Sequence, residues 1–336
     1  MPEKEKVLLD PHFRTVEPLF PPAALARLRE FADVVWARDE AAPPEAVEAV
    51  REEIVAIVTG GWRYGSVDRF PKLRAIMEVG GTFPDPKLLD YPACFARGIR
   101  VMSCAPGFAP AVAEMALGMA IAAGRDIVAG DAAFRAGKEA WGYRGEVHDF
   151  QLFDKPVGFI GFGSIARALR TLLAPFRCPI KVYDPWQTDA FLRVQGVTPA
   201  GLDDLLQTSK IVFVLAVPSQ ANRALLDKER LSLLQPGSVL VLISRAHLVD
   251  FDALTEMVLA GRFKAAIDVF PVEPLPPDHP IRTAPGAILS AHRAGGGDET
   301  YHLIGRMVID DLEAILAGLP PQEMQVAAPE YIRNRG

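Results

Sequence analysis

A glycine-rich turn between two apolar runs constrains the fold of this chain more than any other feature. The first run, 157–160, leads into Gly161, and Gly163 and Ala166 follow at the start of a helical pattern of leucines. The second run ends at Asp184, 21 residues after Gly163. Strand, tight turn, helix, strand and acid in this order form the dinucleotide-binding fingerprint of a parallel α/β sheet.

The residues of this turn suit the binding of a dinucleotide. Gly161 permits the turn, and Gly163 lets backbone amides approach a pyrophosphate at the positive end of the helix. Asp184 can accept hydrogen bonds from the adenosine ribose, and its charge would repel a 2′-phosphate, so NAD is favoured over NADP. The predicted cofactor contacts in the turn and the start of the helix are Gly161, Phe162, Gly163, Ser164 and Ile165.

Two simpler interpretations of the same residues stay open. Glycine also marks ordinary turns between a strand and a helix that bind no ligand. Asp184 directly precedes a proline, so it could serve only as an Asx-turn residue.

Composition argues against several classes of partner and compartment. The net charge is −6 and no basic run extends beyond two or three residues, so neither nucleic acid nor an anionic membrane is expected as a partner. The charged N-terminal segment is not expected to act as a signal peptide, and no apolar run approaches the ~18 residues that span a bilayer. Three cysteines without a C-x-x-C pair predict reduced thiols in the cytoplasm and no metal site.

The length of 336 residues suits two domains, and the apolar runs indicate where they lie. Short predicted strands occupy 6–10, 32–37, 52–60, 72–81, 98–104, 211–217, 238–244, 264–270 and 287–292. Predicted helices occupy 23–32, 44–53, 110–136 and 300–317. These patterns predict a doubly wound parallel-sheet (Rossmann) cofactor domain, 107–296, inserted into a smaller flavodoxin-like α/β substrate domain, 1–106 and 297–336.

Three chemically active residues stand at the ends of late predicted strands. Arg245 follows 238–244, Glu273 follows 264–270, and His292 ends 287–292. Ligands of open α/β sheets bind outside the carboxyl ends of the strands, so these side chains are expected at the edge that carries Gly161. A histidine oriented by a carboxylate can move a proton, and an arginine fork can bind a carboxylate. Taken singly, each could instead be a packing or solvated residue.

Several ordered motifs resemble the D-isomer-specific 2-hydroxyacid dehydrogenases over most of the chain, most strongly from 98 to 300. The motifs are GIRVMSCAPG, VAEMALGMAIAAGRDI, GFIGFGSIARAL with VYDP, AVPS, LLQPGSVLVLISRAHLVDFDAL, AAIDVFPVEP and SAHRAGG. The resemblance implies an NAD-dependent enzyme that interconverts a D-2-hydroxy acid and a 2-oxo acid.

The resemblance also implies roles for single residues. His292 would be the acid/base, Glu273 its partner, and Arg245 the residue that binds the substrate carboxylate and carbonyl. Further cofactor contacts would come from Val217, Pro218, Ser244, Arg245, Asp268 and His292, with Asp268 on the nicotinamide carboxamide. A homodimer through the cofactor domains, partly by the helix around 110–136, is expected as well.

The chain departs from the family pattern in the loop that binds the substrate carboxylate. This loop reads VGGTFPDP, in which Gly80 and Gly81 still suit an anion-binding backbone. Ala246 and Ala291 also replace common family residues next to Arg245 and His292. The altered loop predicts a substrate other than plain lactate or glycerate.

Two other functions are compatible with the same scaffold. One is oxidation of a small anion such as phosphite or formate, although Glu273 argues against formate. The other is an NAD(H)-sensing binding protein of the co-repressor kind, against which the lack of a basic patch argues.

Overall fold

A computed structural model describes residues 4–142 and 149–333. The chain divides into two compact units. We call residues 1–109 with 296–336 the split unit, and residues 110–295 the central unit. The sequence prediction set its divisions at 106/107 and 296/297.

Both units are built from strands and helices that alternate along the chain. The strands are β1 (Glu5–Asp10), β2 (Ala32–Trp36), β3 (Ile54–Thr59), β4 (Ala75–Glu78), β5 (Arg100–Ser103), β6 (Val157–Ile160), β7 (Ile180–Tyr183), β8 (Thr198–Pro199), β9 (Ile211–Val214), β10 (Val239–Leu242), β11 (Lys264–Ile267), β12 (Ala287–Leu289) and β13 (Gln325–Val326). The helices are α1 (Val16–Leu19), α2 (Pro22–Phe31), α3 (Pro44–Glu48), α4 (Tyr91–Ala96), α5 (Ala105–Gly124), α6 (Ile127–Arg135), α7 (Ser164–Leu173), α8 (Asp189–Val194), α9 (Leu202–Thr208), α10 (Lys228–Ser232), α11 (Phe251–Leu259), α12 (Asp298–Leu316) and α13 (Pro329–Arg333).

The central unit has the predicted Rossmann topology. Its strands pair in parallel in the order β12-β11-β10-β9-β6-β7-β8. The strand order reverses between β6 and β9, which makes this the switch point where such sheets bind ligands. Strands β6, β9 and β10 are buried along their whole length, because helices cover both faces of a parallel sheet.

The split unit is the predicted flavodoxin-like sheet. Strands β5-β4-β3-β1-β2 run parallel, and β13 pairs antiparallel with β5. Apolar side chains pack on both faces of this sheet, in one cluster with α12 and another around Trp62 and Phe70. The C-terminal segment thus completes the unit that the N-terminal residues begin.

Two helix predictions are corrected by the structure. The single helix predicted over 110–136 is two helices, α5 and α6, because Asp126 between them adopts a left-handed conformation (φ 51°). Lys264 on β11 donates to the Asp126 carboxylate (2.6 Å) and to the carbonyl of Ala123 (3.3 Å), which stabilises the break. The helix predicted over 44–53 stops at Glu48 and continues as turns.

Helix α5 is long and apolar. By length and composition alone its 20 residues could cross a membrane, so the statement that no apolar run approaches that length is wrong on this test. Half of the apolar window is buried inside the protein, as in the core helix of a soluble protein, which passes the same test.

Candidate active site

The turn after β6 requires glycine at Gly161 for two independent reasons. Its φ of 94° is one that residues with a Cβ rarely adopt. A Cβ built there would also lie 2.6 Å from the Cα of Ala216, which follows β9 on the other side of the switch point. Gly161 therefore lets two strands approach each other where the sheet order reverses.

The space beside the following helix suits a phosphate group. Gly163 is the N-cap of α7, and a Cβ built on it meets no heavy atom of the described residues within 4 Å. The first amides of α7 lack intrahelical acceptors and carry the positive end of the helix dipole. The turn, the open space and the helix N-terminus together fit the pyrophosphate of a dinucleotide.

Asp184 is held against this turn by two backbone amides. Its Oδ2 accepts a hydrogen bond from the amide of Phe162 (2.7 Å), and its Oδ1 accepts one from Trp186 (2.9 Å). The bond to Trp186, two residues on, is the Asx turn that the sequence analysis left open. A carboxylate offers about four lone-pair sites, so acceptor capacity remains for a ribose hydroxyl.

Glu273 and His292 form the side-chain pair expected from the sequence. Nδ1 of His292 lies 2.7 Å from Oε2 of Glu273, and Oε1 of Glu273 accepts a hydrogen bond from the Phe270 amide (2.9 Å). Because a carboxylate only accepts, Nδ1 carries the proton of this bond and Nε2 is left for a ligand. Both side chains remain partly exposed, at 44% for His292 and 37% for Glu273.

The electrostatic surroundings keep Glu273 ionised. Burial acts to raise its pKa, but hydrogen bonds from His292 and Phe270 and the charges nearby outweigh it, so the pKa lies below its ordinary value. Arg245 is one of those charges. Glu273 is therefore a carboxylate at neutral pH, as an acceptor for His292 must be.

Asp268 has a role that the sequence analysis missed. It is completely buried at the end of β11, and its two carboxylate oxygens accept hydrogen bonds from the amides of Arg293 (2.9 Å) and Ala294 (3.1 Å). Its backbone carbonyl accepts from the amide of His292 (2.8 Å). His292 is thereby held in a left-handed conformation (φ 51°), which is unusual for a residue other than glycine.

Arg245 and Ser244 follow β10 at the same edge of the sheet. Arg245 has an exposed side chain whose Nη1 donates to the carbonyl of Ser244 (2.7 Å). Ser244 is buried, and its Oγ has no hydrogen-bond partner among the described residues. An unused hydroxyl and an exposed guanidinium are the kinds of group that a bound ligand would engage.

The remaining predicted contacts lie on other segments. Val217 is 44% exposed beyond β9, and Pro218 beside it is half-buried. Gly80 and Gly81 follow β4 in the split unit, where the structure places them beside Glu78 and Phe108. Within residues 4–142 and 149–333, no group of three or more His, Cys, Asp or Glu side chains could hold a metal ion.

The chain is similar in sequence and fold to known proteins. The family model described as D-isomer specific 2-hydroxyacid dehydrogenase, NAD binding domain, matches residues 117–294, more than half of the chain. A phosphoglycerate oxidoreductase structure from Rhizobium etli is 36% identical, has a TM-score of 0.85 and covers 97% of this chain and 99% of its own.

Curated relatives show the same similarity. D-3-phosphoglycerate dehydrogenase of Mycobacterium tuberculosis is 29% identical over 88% of this chain and 55% of its own length. Glyoxylate reductase of Thermofilum pendens is 28% identical over 90% of this chain and 91% of its own length. The chain thus spans about half the length of the phosphoglycerate dehydrogenase relatives that it matches.

The anchoring role of Asp268 can be tested by amide hydrogen exchange. The substitution Asp268→Asn replaces one acceptor oxygen with a donor that faces an amide N–H. We expect the amides of Arg293 and Ala294 to lose about 1–3 kcal/mol of protection. Asp250→Asn, which alters a helix-capping aspartate of the same unit, is the matched control. Unchanged protection at residues 293 and 294 in the Asp268 variant would show that Asp268 does not fix the loop.

Proposed function

Since the chain belongs to the D-isomer-specific 2-hydroxyacid dehydrogenase family, we propose that it transfers a hydride between NAD(H) and a small D-2-hydroxy acid or its 2-oxo acid. The main support is the 2.7 Å hydrogen bond between Glu273 and His292. This pair follows strands of the same parallel sheet whose switch point carries the Gly161 turn. A proton-transfer pair and a dinucleotide turn at one sheet edge are what such a reaction requires.

In this proposal His292 moves the proton. In reduction, Nε2 donates a proton to the carbonyl oxygen of the 2-oxo acid, and in oxidation it removes the proton of the hydroxyl. Glu273 holds the ring through Nδ1 and stabilises the imidazolium that carries the proton. The nicotinamide ring, when bound, supplies or accepts the hydride.

Arg245 would bind and polarise the substrate. Its planar fork can hold the carboxylate with two hydrogen bonds and draw charge from the adjacent carbonyl. Gly80 and Gly81 would add backbone amides to the carboxylate, so the split unit would serve as the substrate domain. The substrate would be a 2-oxo acid other than pyruvate or hydroxypyruvate, the oxo acids of lactate and glycerate, because the loop VGGTFPDP departs from the family pattern.

The cofactor would be NAD rather than NADP. Residues 161–165 would hold the pyrophosphate at the N-terminus of α7, and Asp184 would bind the ribose hydroxyls. Val217 and Pro218 would line the adenosine side. Ser244 and Asp268 would contact the nicotinamide end, with Asp268 using acceptor capacity that its loop hydrogen bonds leave free.

We further propose a homodimer, joined through the cofactor domains, in the cytoplasm. Ile127, Val128 and Phe134 on α6 expose 53%, 52% and 61% of their surface, which favours a partner surface over solvent. Free Cys94, Cys104 and Cys178 suit a reducing compartment.

The proposed reaction is tested by NADH consumption with a panel of 2-oxo acids, including glyoxylate, hydroxypyruvate, pyruvate, phenylpyruvate and sugar-derived acids. We expect turnover of at least one acid, and a loss of about 10²–10⁴-fold in kcat for His292→Ala, because the proton donor is removed. His302→Ala, an exposed histidine on α12, is the matched control and should retain activity. Turnover that survives in the His292 variant would remove His292 from the chemistry.

The cofactor preference is tested with Asp184→Ala. Loss of the carboxylate removes both the ribose acceptor and the repulsion of a 2′-phosphate, so kcat/KM for NADH relative to NADPH should fall by about tenfold or more. Asp189→Ala, which alters an exposed aspartate on the next helix, serves as control. A general loosening of the turn would lower kcat/KM for NADH and NADPH alike, whereas loss of ribose recognition changes their ratio. A ratio equal to that of the parent would contradict the assignment.

A further inference from the structure

Four neighbouring strands of the split unit end in a polar side chain. They are register partners across the sheet, in the order Asp10, Thr59, Glu78 and Ser103. Register partners of parallel strands face the same side, so these side chains form a row at the carboxyl edge of the sheet. All four are at least 95% buried.

Tyr64 and Arg63 engage the side chains of one half of this row. Tyr64 donates to Asp10 (2.6 Å) and to Thr59 (3.3 Å), and Arg63 forms an ion pair with Asp10 (3.0 Å). In the other half, Oε2 of Glu78 and Oγ of Ser103 have no hydrogen-bond partner among the described residues. Buried polar atoms are normally paired, so these two atoms are available to a bound group.

An arginine without a counter-ion lies in the same unit. The guanidinium of Arg14 packs against the rings of Phe13 (5.3 Å), Phe108 (5.3 Å) and Tyr301 (5.2 Å). Within the described chain it forms neither an ion pair nor a side-chain hydrogen bond, and its Nε is buried. Arginine stays charged in proteins, and a partly buried charge of this kind favours an anion.

Glu78 does not supply that anion at neutral pH. Burial raises its pKa to about 8, although the amide of Gly80 and the charges of Arg14 and Arg63 act to lower it. Glu78 is therefore mostly a protonated acid, which can donate a hydrogen bond through its hydroxyl. Arg14 and Glu78 together present one positive charge and one donor.

These two residues adjoin the loop assigned to the substrate. Gly80 lies two residues after Glu78, and a Cβ built on it would be 3.1 Å from Oε1 of Glu78. A Cβ built on Gly81 would be 3.3 Å from the ring of Phe108, which also packs against Arg14. The loop, Glu78 and Arg14 thus belong to one continuous group of residues.

We propose that Arg14 and Glu78 form a subsite for a second anionic group of the substrate, a distal carboxylate or a phosphate. Arg14 is its ion partner and Glu78 its hydrogen-bond donor. The proposal rests on the proposed function, which assigns the neighbouring Gly80–Gly81 backbone to the carboxylate beside the reacting carbon.

Matched substrate pairs test this subsite and distinguish the two anions. 2-Oxoglutarate is compared with 2-oxopentanoate, and 3-phosphohydroxypyruvate with hydroxypyruvate. We expect a higher kcat/KM for the anionic member of one pair, and the pair that shows it identifies the group. Arg14→Gln should reduce that preference by about 10- to 100-fold, because charged hydrogen bonds are lost, while the neutral member changes little. Equal preference within both pairs in the parent protein would overturn the proposal.

Two further variants separate charge recognition from structural support. Arg29→Gln alters an exposed arginine on α2 of the same unit and should leave the preference unchanged. Arg14→Lys keeps the charge and should retain part of the preference, and it replaces Arg14→Gln if that variant does not fold. A fall of equal size for both members of a pair would mean that Arg14 only supports the fold.

The pH dependence of the preference tests Glu78 separately. As pH rises through about 8, Glu78 ionises and neutralises Arg14, so the 2-oxoglutarate/2-oxopentanoate ratio of kcat/KM should fall. In Glu78→Gln the ratio should stay flat, because effects of pH that are common to both substrates cancel in the ratio. The other charged or titratable groups around Glu78 are Arg63, Asp10, Tyr64 and Cys104. Burial raises the pKa of both Tyr64 and Cys104, so both stay neutral through this range. A ratio that falls equally in the Gln variant would exclude Glu78.

Failure of the subsite is distinguishable from failure of the reaction. If 2-oxo acids are turned over without any preference that depends on Arg14, only the subsite is wrong. If no 2-oxo acid is turned over, the proposed reaction is wrong, and calorimetric titration with 2-oxoglutarate and 2-oxopentanoate decides the subsite. Binding of the dianion at least tenfold tighter than the monoanion, lost in Arg14→Gln, supports it, and equal binding overturns it.

Discussion

The buried carboxylate of Asp268 fixes the geometry on which the proposed chemistry depends. It stands at the end of β11 and holds the amides of Arg293 and Ala294, while its own carbonyl holds the amide of His292. These three bonds keep His292 in a left-handed backbone conformation that a loop would not hold by itself. Nδ1 of the imidazole then lies 2.7 Å from Oε2 of Glu273. The proposed proton-transfer pair therefore depends on Asp268, which itself transfers no proton in the proposal.

The two units use the carboxyl ends of their strands in different ways. In the central unit, Gly161 lets β6 and β9 approach each other, and the polar side chains lie in the loops that follow the strands. In the split unit the strands themselves end in buried polar residues, and Oε2 of Glu78 and Oγ of Ser103 have no hydrogen-bond partner among the described residues. The same parallel architecture therefore gives an open space beside a helix N-terminus in one unit and a row of buried polar side chains in the other.

The sequence was sufficient for the features that local chemistry decides. The Gly161 turn, the apolar strands and the order of helices follow from glycine conformation and from burial on both sheet faces, and the structure confirms them. The break between α5 and α6 could not be foreseen, because Lys264 stabilises it from 138 residues away. The anchoring by Asp268 could not be predicted for a related reason. Its partners, the amides of Arg293 and Ala294, lie 25 and 26 residues further along the chain. No sequence pattern pointed to the environment of Arg14, because the aromatic rings around it come from three separate segments of the chain.

The most direct measurement of the central claim is the pH profile of kcat/KM for 2-oxo acid reduction by Glu273→Gln and by the parent protein. Reduction requires a protonated His292, and the Glu273 carboxylate stabilises that form while the neutral amide of glutamine does not. The account predicts that the basic limb of the profile moves to lower pH in the variant. Superimposable profiles would contradict it, because Glu273 would then not be the partner of the residue that moves the proton.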